Sequence, residues 1–238
     1  MPSELFGLGF DAKDPVRLAR FWGGVLQREL VDSPEDGIVL LPGDDVAFPI
    51  RFTQSDELKT GPNQMHFDLT SQSLEDQQET VARVLELGGR HLDIGQGPDA
   101  KHVVLADPED NEFCVIEPGN NFLADTAFIG ALAGDGTQAV GYFWAKALDW
   151  PLVWDQDEET AIQSPRGGTK LTWGGPPVSP KTGKNRLYFD LTPAAGADVQ
   201  TELDRLLTLG ATRTDAEETH RIALTDPDGN EFYVLTPR

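Results

Sequence analysis

Residues 103–118 read VVLADPEDNEFCVIEP, and residues 222–237 read IALTDPDGNEFYVLTP, so one motif occurs twice, 119 positions apart. A second motif repeats at almost the same distance, because residues 63–70 read NQMHFDLT and residues 185–192 read NRLYFDLT, 122 positions apart. A nearly constant separation of about half the chain indicates an internal duplication. We therefore predict two similar domains, residues 1–120 and 123–238, which meet in a polar, turn-forming segment.

The composition excludes several kinds of partner. The 238 residues include 40 acidic and 19 basic side chains, which gives a formal charge of −21 at pH 7. Such a field repels nucleic acid phosphates and anionic membranes, so we expect neither as a partner. The single cysteine, Cys114, excludes an internal disulfide and is typical of a reducing compartment. There is no signal-peptide pattern, and no apolar run reaches the roughly 18 residues of a membrane span, so we expect a cytoplasmic protein.

Each half of the chain repeats one order of elements twice. In half one, Asp14 and Pro15 predict the start of a helix in which apolar residues recur at helical spacing. Short strands follow, near residues 28–32, 37–41 and 46–53, and the pattern restarts with a strand at Met65. Four strand–helix–strand–strand–strand units predict an α+β fold in which helices cover one face of each sheet. The other face is free to curve around a ligand.

Three stretches resemble a known family. They are the helix DPVRLARFW at 14–22, the strand HFDL at 66–69, and the hairpin DPEDNEF at 107–113 with its twin DPDGNEF at 226–232. In this order and spacing they resemble the vicinal oxygen chelate superfamily, which includes glyoxalase I, bleomycin-resistance proteins and extradiol dioxygenases. The resemblance covers nearly the whole chain. It implies tandem glyoxalase/bleomycin-resistance-like domains, in which two βαβββ modules form each cupped sheet.

The resemblance also implies where a metal ion would bind. Metal-dependent members of the superfamily hold the ion with side chains of the first, fourth, fifth and eighth strands of a cup. In half one these positions fall at Gly7, at residues 47–50, at His66 and at Cys114. Glycine has no ligand atom, and residues 47–50 include no acid or histidine. Because a divalent ion needs three or four converging donors, we predict that no metal and no other cofactor is required.

A metal site remains the alternative. It would hold a divalent ion in domain 1 with His66, Cys114 and Glu112. Half two offers no equivalent set, because Tyr188 and Tyr233 stand where half one has His66 and Cys114.

Strand alternation predicts which side chains line the cups. The predicted ligand-binding residues lie on the first, fifth and eighth strands, with one further tryptophan, and are Gly7, His66, Asp68, Cys114, Tyr188, Asp190, Tyr233 and Trp173. Three of them, His66, Asp68 and Asp190, are the candidates for an acid or a base in a metal-free reaction. Structural roles compete with these: a half-buried histidine, a small buried cysteine, and aspartates that cap neighbouring loops.

These residues favour a metal-independent small-molecule-binding protein that holds its ligand in the cups. It would sequester a drug or metabolite, or catalyse a metal-free reaction, and the residues favour neither of these over the other. The alternatives are a metal-dependent lyase or dioxygenase with a site around His66, and an interaction scaffold without small-molecule chemistry. The two domains are expected to form an internal pair, similar to the dimer of single-domain relatives, in a monomer or a homodimer.

Overall fold

The computed structural model describes residues 2–33, 37–43, 48–218 and 220–236, without the side chains of residues 215–218. Its helices and strands form four βαβββ modules in chain order. Module 1 consists of β1 (Glu4–Ala12), α1 (Pro15–Leu26), β2 (Leu30–Ser33), β3 (Gly37–Leu40) and β4 (Ile50–Gln54). Module 2 consists of β5 (Met65–Leu69), α2 (Leu74–Glu86), β6 (Arg90–His91), β7 (Val103–Ala106) and β8 (Glu112–Val115).

A short 3₁₀ helix, Asn121–Leu123, leads into the second half. Module 3 consists of β9 (Ile129–Gly134), α3 (Gln138–Leu148), β10 (Leu152–Gln156), β11 (Glu159–Gln163) and β12 (Lys170–Trp173). Module 4 consists of β13 (Leu187–Thr192), α4 (Val199–Leu209), β14 (Thr212–Glu218), β15 (Arg221–Thr225) and β16 (Glu231–Leu235). The start of the strand expected near 46–53 lies outside the described residues. None of the helices in the described ranges is long and apolar enough to cross a membrane.

Polar caps define where the helices begin. Asp14, Ser73 and Asp198 each accept a hydrogen bond from a backbone N–H in the first turn of α1, α2 and α4. Thr137, the N-cap residue of α3, accepts no such bond, and its own backbone N–H and hydroxyl donate to the carboxylate of Asp228. The cap of α1 was expected from the sequence, and the structure confirms it.

The strands form two eight-stranded sheets, and each sheet contains two modules, which confirms the expected fold class. The modules that share a sheet nevertheless come from different halves. Sheet A has the order β14-β15-β16-β13-β1-β4-β3-β2, so it joins modules 4 and 1. Sheet B has the order β10-β11-β12-β9-β5-β8-β7-β6, so it joins modules 3 and 2. The expectation that each half closes its own cup is therefore corrected, while the domain boundaries at 120 and 123 stay a prediction.

Modules of the same half meet through the apolar core instead of through a sheet. The indole of Trp22 on α1 lies with its ring centre 4.8 Å from those of Phe67 and Phe113, which belong to module 2. The equivalent rings of half two, 4.8 and 5.0 Å apart, are Trp144, Phe189 and Phe232. Core contacts thus join modules 1 and 2, and modules 3 and 4, although the strands of the two modules in each pair belong to different sheets.

The repeated Asp-Pro hairpin also forms hydrogen bonds between modules of the same half. Trp22 Nε1 donates a hydrogen bond to Asp107 Oδ2 at 3.1 Å, and Trp144 Nε1 donates to Asp226 Oδ2 at 3.2 Å. Both carboxyl groups are nearly inaccessible to solvent. A buried acid needs such partners, so the first helix of each half and the hairpin of the next module fix one another.

Candidate active site

One face of sheet B brings three reactive side chains together. His66 and Asp68 alternate along β5 with Phe67 and Leu69, which lie in the core, so the first two point away from the core. Cys114 on β8 is the register partner of Asp68. One donor atom from each of these three residues lies within 4.8 Å of the other two. We call the three residues the His66 cluster, and we call the face of sheet B that carries them cup B.

Solvent can reach the His66 cluster. The side chains of His66 and Asp68 are 32% and 18% exposed, and His66 Nε2 lies 3.4 Å from Asp68 Oδ1. Cys114 lies deeper and is mostly buried. The sequence predicted all three as ligand-binding residues, and the structure places them side by side.

The electrostatics of the cluster favour a protonated histidine and a neutral thiol. Burial lowers the pKa of His66, but hydrogen bonds to Asp68 and Cys114, together with the charge of Asp68, outweigh burial and raise the pKa to about 10. Burial also raises the pKa of the Cys114 thiol, although its contact with His66 opposes that shift. Without a bound ion, His66 is therefore suited to donate a proton or a hydrogen bond at neutral pH, and Asp68 balances its charge.

The surface beside the cluster is formed largely by small side chains. His66 lies opposite Ala133 on β9, and Ala133 lies opposite Thr172 on β12. The same row continues across sheet B through Ala161 on β11 to Trp154 on β10. Of these small residues, Thr172 and Ala161 are buried, and Ala133 beside His66 is partly exposed, so the room for a flat organic group lies next to the cluster.

Glu112 does not join the cluster, although the sequence offered it as an alternative metal ligand. Its carboxylate pairs with Lys59 Nζ at 2.9 Å and accepts a hydrogen bond from the backbone N–H of Asn63. Within the described residues, the group that could hold a metal ion contains Asp68 in its place. Residue 47 of the expected fourth-strand position lies outside the described residues.

The other predicted binding residues belong to sheet A, whose core-distal face we call cup A. Gly7 and Gly9 on β1 lie opposite Asp190 and Tyr188 on β13, and Asp190 also lies beside Tyr233 on β16. None of these residues therefore contributes to the surface around His66. The prediction that Gly7 and His66 share a cup is wrong, because β1 pairs with β13 and β5 pairs with β9.

Cup A is filled by its own side chains. Tyr188 and Tyr233 are almost wholly buried, and their ring centres lie 4.8 Å apart. The guanidinium of Arg221 lies 4.0 Å from the ring centre of Tyr233 and donates a hydrogen bond to the Tyr188 hydroxyl at 3.2 Å. Asp190 forms an ion pair with Arg51. These contacts engage the groups that the sequence predicted for ligand binding and acid–base chemistry in half two.

Trp173 lines neither cup. It follows the cup-facing Thr172 on β12, so alternation turns its indole to the opposite face, where it is 6% exposed and packs in the apolar core. Trp154, and not Trp173, occupies the end of the row through His66 on the cup face.

Comparison with known proteins places this geometry in a family. A family model described as the glyoxalase-like domain matches residues 7–116 and again residues 131–235. The chain belongs to the glyoxalase-like domain family. The two matched segments correspond to the two halves of the duplication, and they confirm the resemblance inferred from the sequence motifs.

Solved structures resemble this glyoxalase-like protein over nearly its whole length. Glyoxalase I from Zea mays superposes with a TM-score of 0.66 at 14% sequence identity, covering 98% of this chain and 92% of that chain. A putative dioxygenase from Bacillus subtilis subsp. subtilis str. 168 superposes with a TM-score of 0.61 at 12% identity, covering 99% of this chain and 85% of that chain. At such low identities the likeness establishes the fold alone. No curated protein matches the chain in sequence.

Proposed function

We propose that this glyoxalase-like protein binds a small organic molecule in cup B, with the polar end of the ligand at the His66 cluster. The observation that supports it best is the contrast between the two cups. Cup B presents three converging polar groups that solvent reaches, whereas cup A is filled by Tyr188, Tyr233 and Arg221. Binding sites combine an apolar surface with a few convergent polar groups, and cup B has both.

Each member of the cluster has a distinct role in this proposal. His66 donates a hydrogen bond to an oxygen of the ligand, or a proton if the protein is a catalyst. Asp68 orients the imidazole and balances its charge. Ala133, the partly exposed register partner of His66, provides the surface on which the ligand lies. The ligand requires no metal in this mechanism, which works by proton donation and shape.

A thermal-shift screen of small molecules tests the proposal, because a ligand that binds only the folded protein raises its melting temperature. We expect the shift caused by a hit to be lost in His66→Ala and in Asp68→Asn. Tyr188→Phe, at the position in cup A that is equivalent to His66, is the matched control and should retain the shift. Hits that survive both cup B variants but fail in Tyr188→Phe would contradict the proposal. Conversion of a hit by the wild type, and not by His66→Ala, would distinguish catalysis from sequestration.

A metal-dependent lyase or dioxygenase is the second candidate. The three donor atoms of the His66 cluster support it, since imidazole nitrogen, carboxylate oxygen and thiolate sulfur are all ligands of Zn²⁺. A divalent ion bound there would act as a Lewis acid that polarises an oxygen of the substrate. His66, Asp68 and Cys114 would hold it.

Elemental analysis of protein purified without chelator distinguishes the two candidates. The metal-dependent candidate requires one equivalent of a transition metal in the wild type, and its loss in His66→Ala and Cys114→Ser. Glu112→Gln is the matched control and should keep the metal, because Glu112 is engaged by Lys59 and Asn63. Wild-type protein that stays metal-free after incubation with Zn²⁺, Ni²⁺, Mn²⁺ and Fe²⁺ would remove this candidate.

We also propose that the protein is a monomer, because each sheet obtains both of its modules from one chain. Light scattering should then give a mass near 26.0 kDa. A mass twice as large would replace this proposal with a homodimer.

A further inference from the structure

A loop at the outer end of cup B distinguishes it from cup A. β6 is only two residues long. Its pairing with β7 ends at a hydrogen bond from the backbone N–H of Leu92 to the carbonyl of Val104. The chain then leaves the sheet as a loop, residues 93–102. In half two the corresponding strands stay paired much farther, up to Glu218 and Arg221. The hairpin of module 2 is therefore open where that of module 4 is closed.

The open hairpin borders an open cavity of about 700 Å³, which lies one strand beyond Cys114 on sheet B. Val104 lines this cavity, and Val104 is also the register partner of Cys114, which is the partner of Asp68. One row of residues thus leads from the His66 cluster into the cavity. Neighbouring strands are about 4.8 Å apart, so a ligand that reaches from β5 past β7 extends over about 10 Å.

The charge of the cavity selects against one class of ligand. Asp93 contributes a carboxylate to the wall, and Gln96, His91 and His102 contribute groups that form hydrogen bonds. No lysine or arginine is among the described residues that line it. In a chain with a formal charge of −21, this wall offers a negatively charged ligand group only the two imidazoles, and the Asp93 carboxylate repels it.

We propose that this cavity holds the tail of an extended ligand whose polar head lies at the His66 cluster, and that the tail carries hydrogen-bonding groups but no negative charge. The inference rests on the proposed function, since it concerns the ligand of the same cup. It excludes a ligand of two or three carbon atoms as the complete natural occupant, because such a molecule does not span the distance of about 10 Å from β5 past β7.

Three fluorescent probes with one common head group test this inference. Dansyl amide has no tail, dansylcadaverine has an amine tail, and N-dansyl-6-aminohexanoate has a carboxylate tail. We expect the wild type to bind the amine-tailed probe about two- to fivefold more tightly than the carboxylate-tailed probe, as is usual for an exposed charge pair. Asp93→Asn should abolish this preference. Asp99→Asn, in the same loop but outside the lining, should preserve it and is the matched control.

Two further variants separate the inference from the proposed function. Ala100→Trp places an indole in the cavity where the tail would lie, so it should remove the advantage of the amine-tailed probe and leave the binding of dansyl amide unchanged. His66→Ala should weaken all three probes. If His66→Ala weakens binding but Asp93→Asn and Ala100→Trp leave the preference intact, the inference is wrong and the proposed function stands. If His66→Ala has no effect on any probe, the proposed function itself is wrong. Failure of the wild type to bind the amine-tailed probe also overturns the inference.

Discussion

Gly9 leaves the space that the ring of Tyr188 fills in cup A. The two residues are register partners on β1 and β13, and a Cβ atom at position 9 would overlap the tyrosine ring. The corresponding partners in sheet B are Ala133 and His66, and His66 remains partly exposed. One pair of facing residues in each sheet therefore helps to determine whether the cup is filled or accessible.

Gly9→Ala should destabilise the protein by about 1–3 kcal/mol, the usual cost of overpacking a filled interior. The added methyl group must displace Tyr188, which is fixed by hydrogen bonds with Asp11 and Arg221. Urea unfolding measures the change. Gly174→Ala is the matched control, because a Cβ atom there meets nothing within 4 Å, and it should stay within about 0.5 kcal/mol of the wild type. Equal effects of the two substitutions would contradict the packing of cup A.

Trp22→Phe and Trp144→Phe should each lower the free energy of unfolding by about 1.5–3 kcal/mol, the usual value of a hydrogen bond to a charged group. Each substitution removes the indole N–H that donates to a buried hairpin carboxylate. Trp154→Phe is the control, since Trp154 Nε1 has no hydrogen-bond partner among the described residues, and it should cost less. A cost for Trp154→Phe that equals the other two would show that ring volume, and not the hydrogen bond, carries the effect.

His66 should remain protonated well above neutral pH in metal-free protein, because contacts with Asp68 and Cys114 overcome burial and raise its pKa to about 10. This value exceeds the unfolded value of about 6.5, so the stabilisation is complete below pH 6.5 and is lost as the pH rises toward 10. An NMR titration should show no change of the His66 ring between pH 6 and 8. Asp68→Asn should lower the midpoint by at least about one unit. A wild-type midpoint near the unfolded value would contradict the proposed role of Asp68.

The sequence predicted the helices and strands, and it predicted on which face of a strand most of the site residues lie. It did not predict which modules share a sheet. Alternation places His66, Asp68 and Cys114 on the cup side of their strands, and this is correct because it depends only on local geometry. The grouping of Gly7 with His66 is wrong because strand pairing between modules is a long-range property that alternation along a single strand does not contain. Trp173 shows the other weakness, since a shift of one residue along a strand exchanges the two faces.

The sequence itself contains a signal of the open hairpin beside the cavity. The separation of the repeated motifs falls from 122 to 119 positions, so half one holds three additional residues between its two motifs. These residues lie between β5 and β7, the segment that contains the loop at 93–102. Unequal spacing inside a duplication therefore indicates where the halves differ in structure, although it does not reveal the resulting cavity.

Asp107 and Asp226 should make the protein less stable as the pH rises from about 4 to 7. Burial raises the pKa of each from 3.8 to about 6, against the opposing hydrogen bonds from Asn111 and Asn230. Because the pKa of each group is higher in the folded than in the unfolded protein, the protonated acid stabilises the fold. This stabilisation is complete below pH 3.8, is lost as the pH passes 6, and amounts to about 3 kcal/mol per group. Since the other carboxyl groups titrate in both proteins, the effect appears as a difference between the wild type and Asp226→Asn. Between pH 4 and 7 the unfolding free energy of Asp226→Asn should rise by about 3 kcal/mol relative to that of the wild type. Asp107→Asn should show the same change, and the double variant should show the sum of the two changes. A difference that stays constant with pH would mean that the hydrogen bonds of the hairpin outweigh its burial.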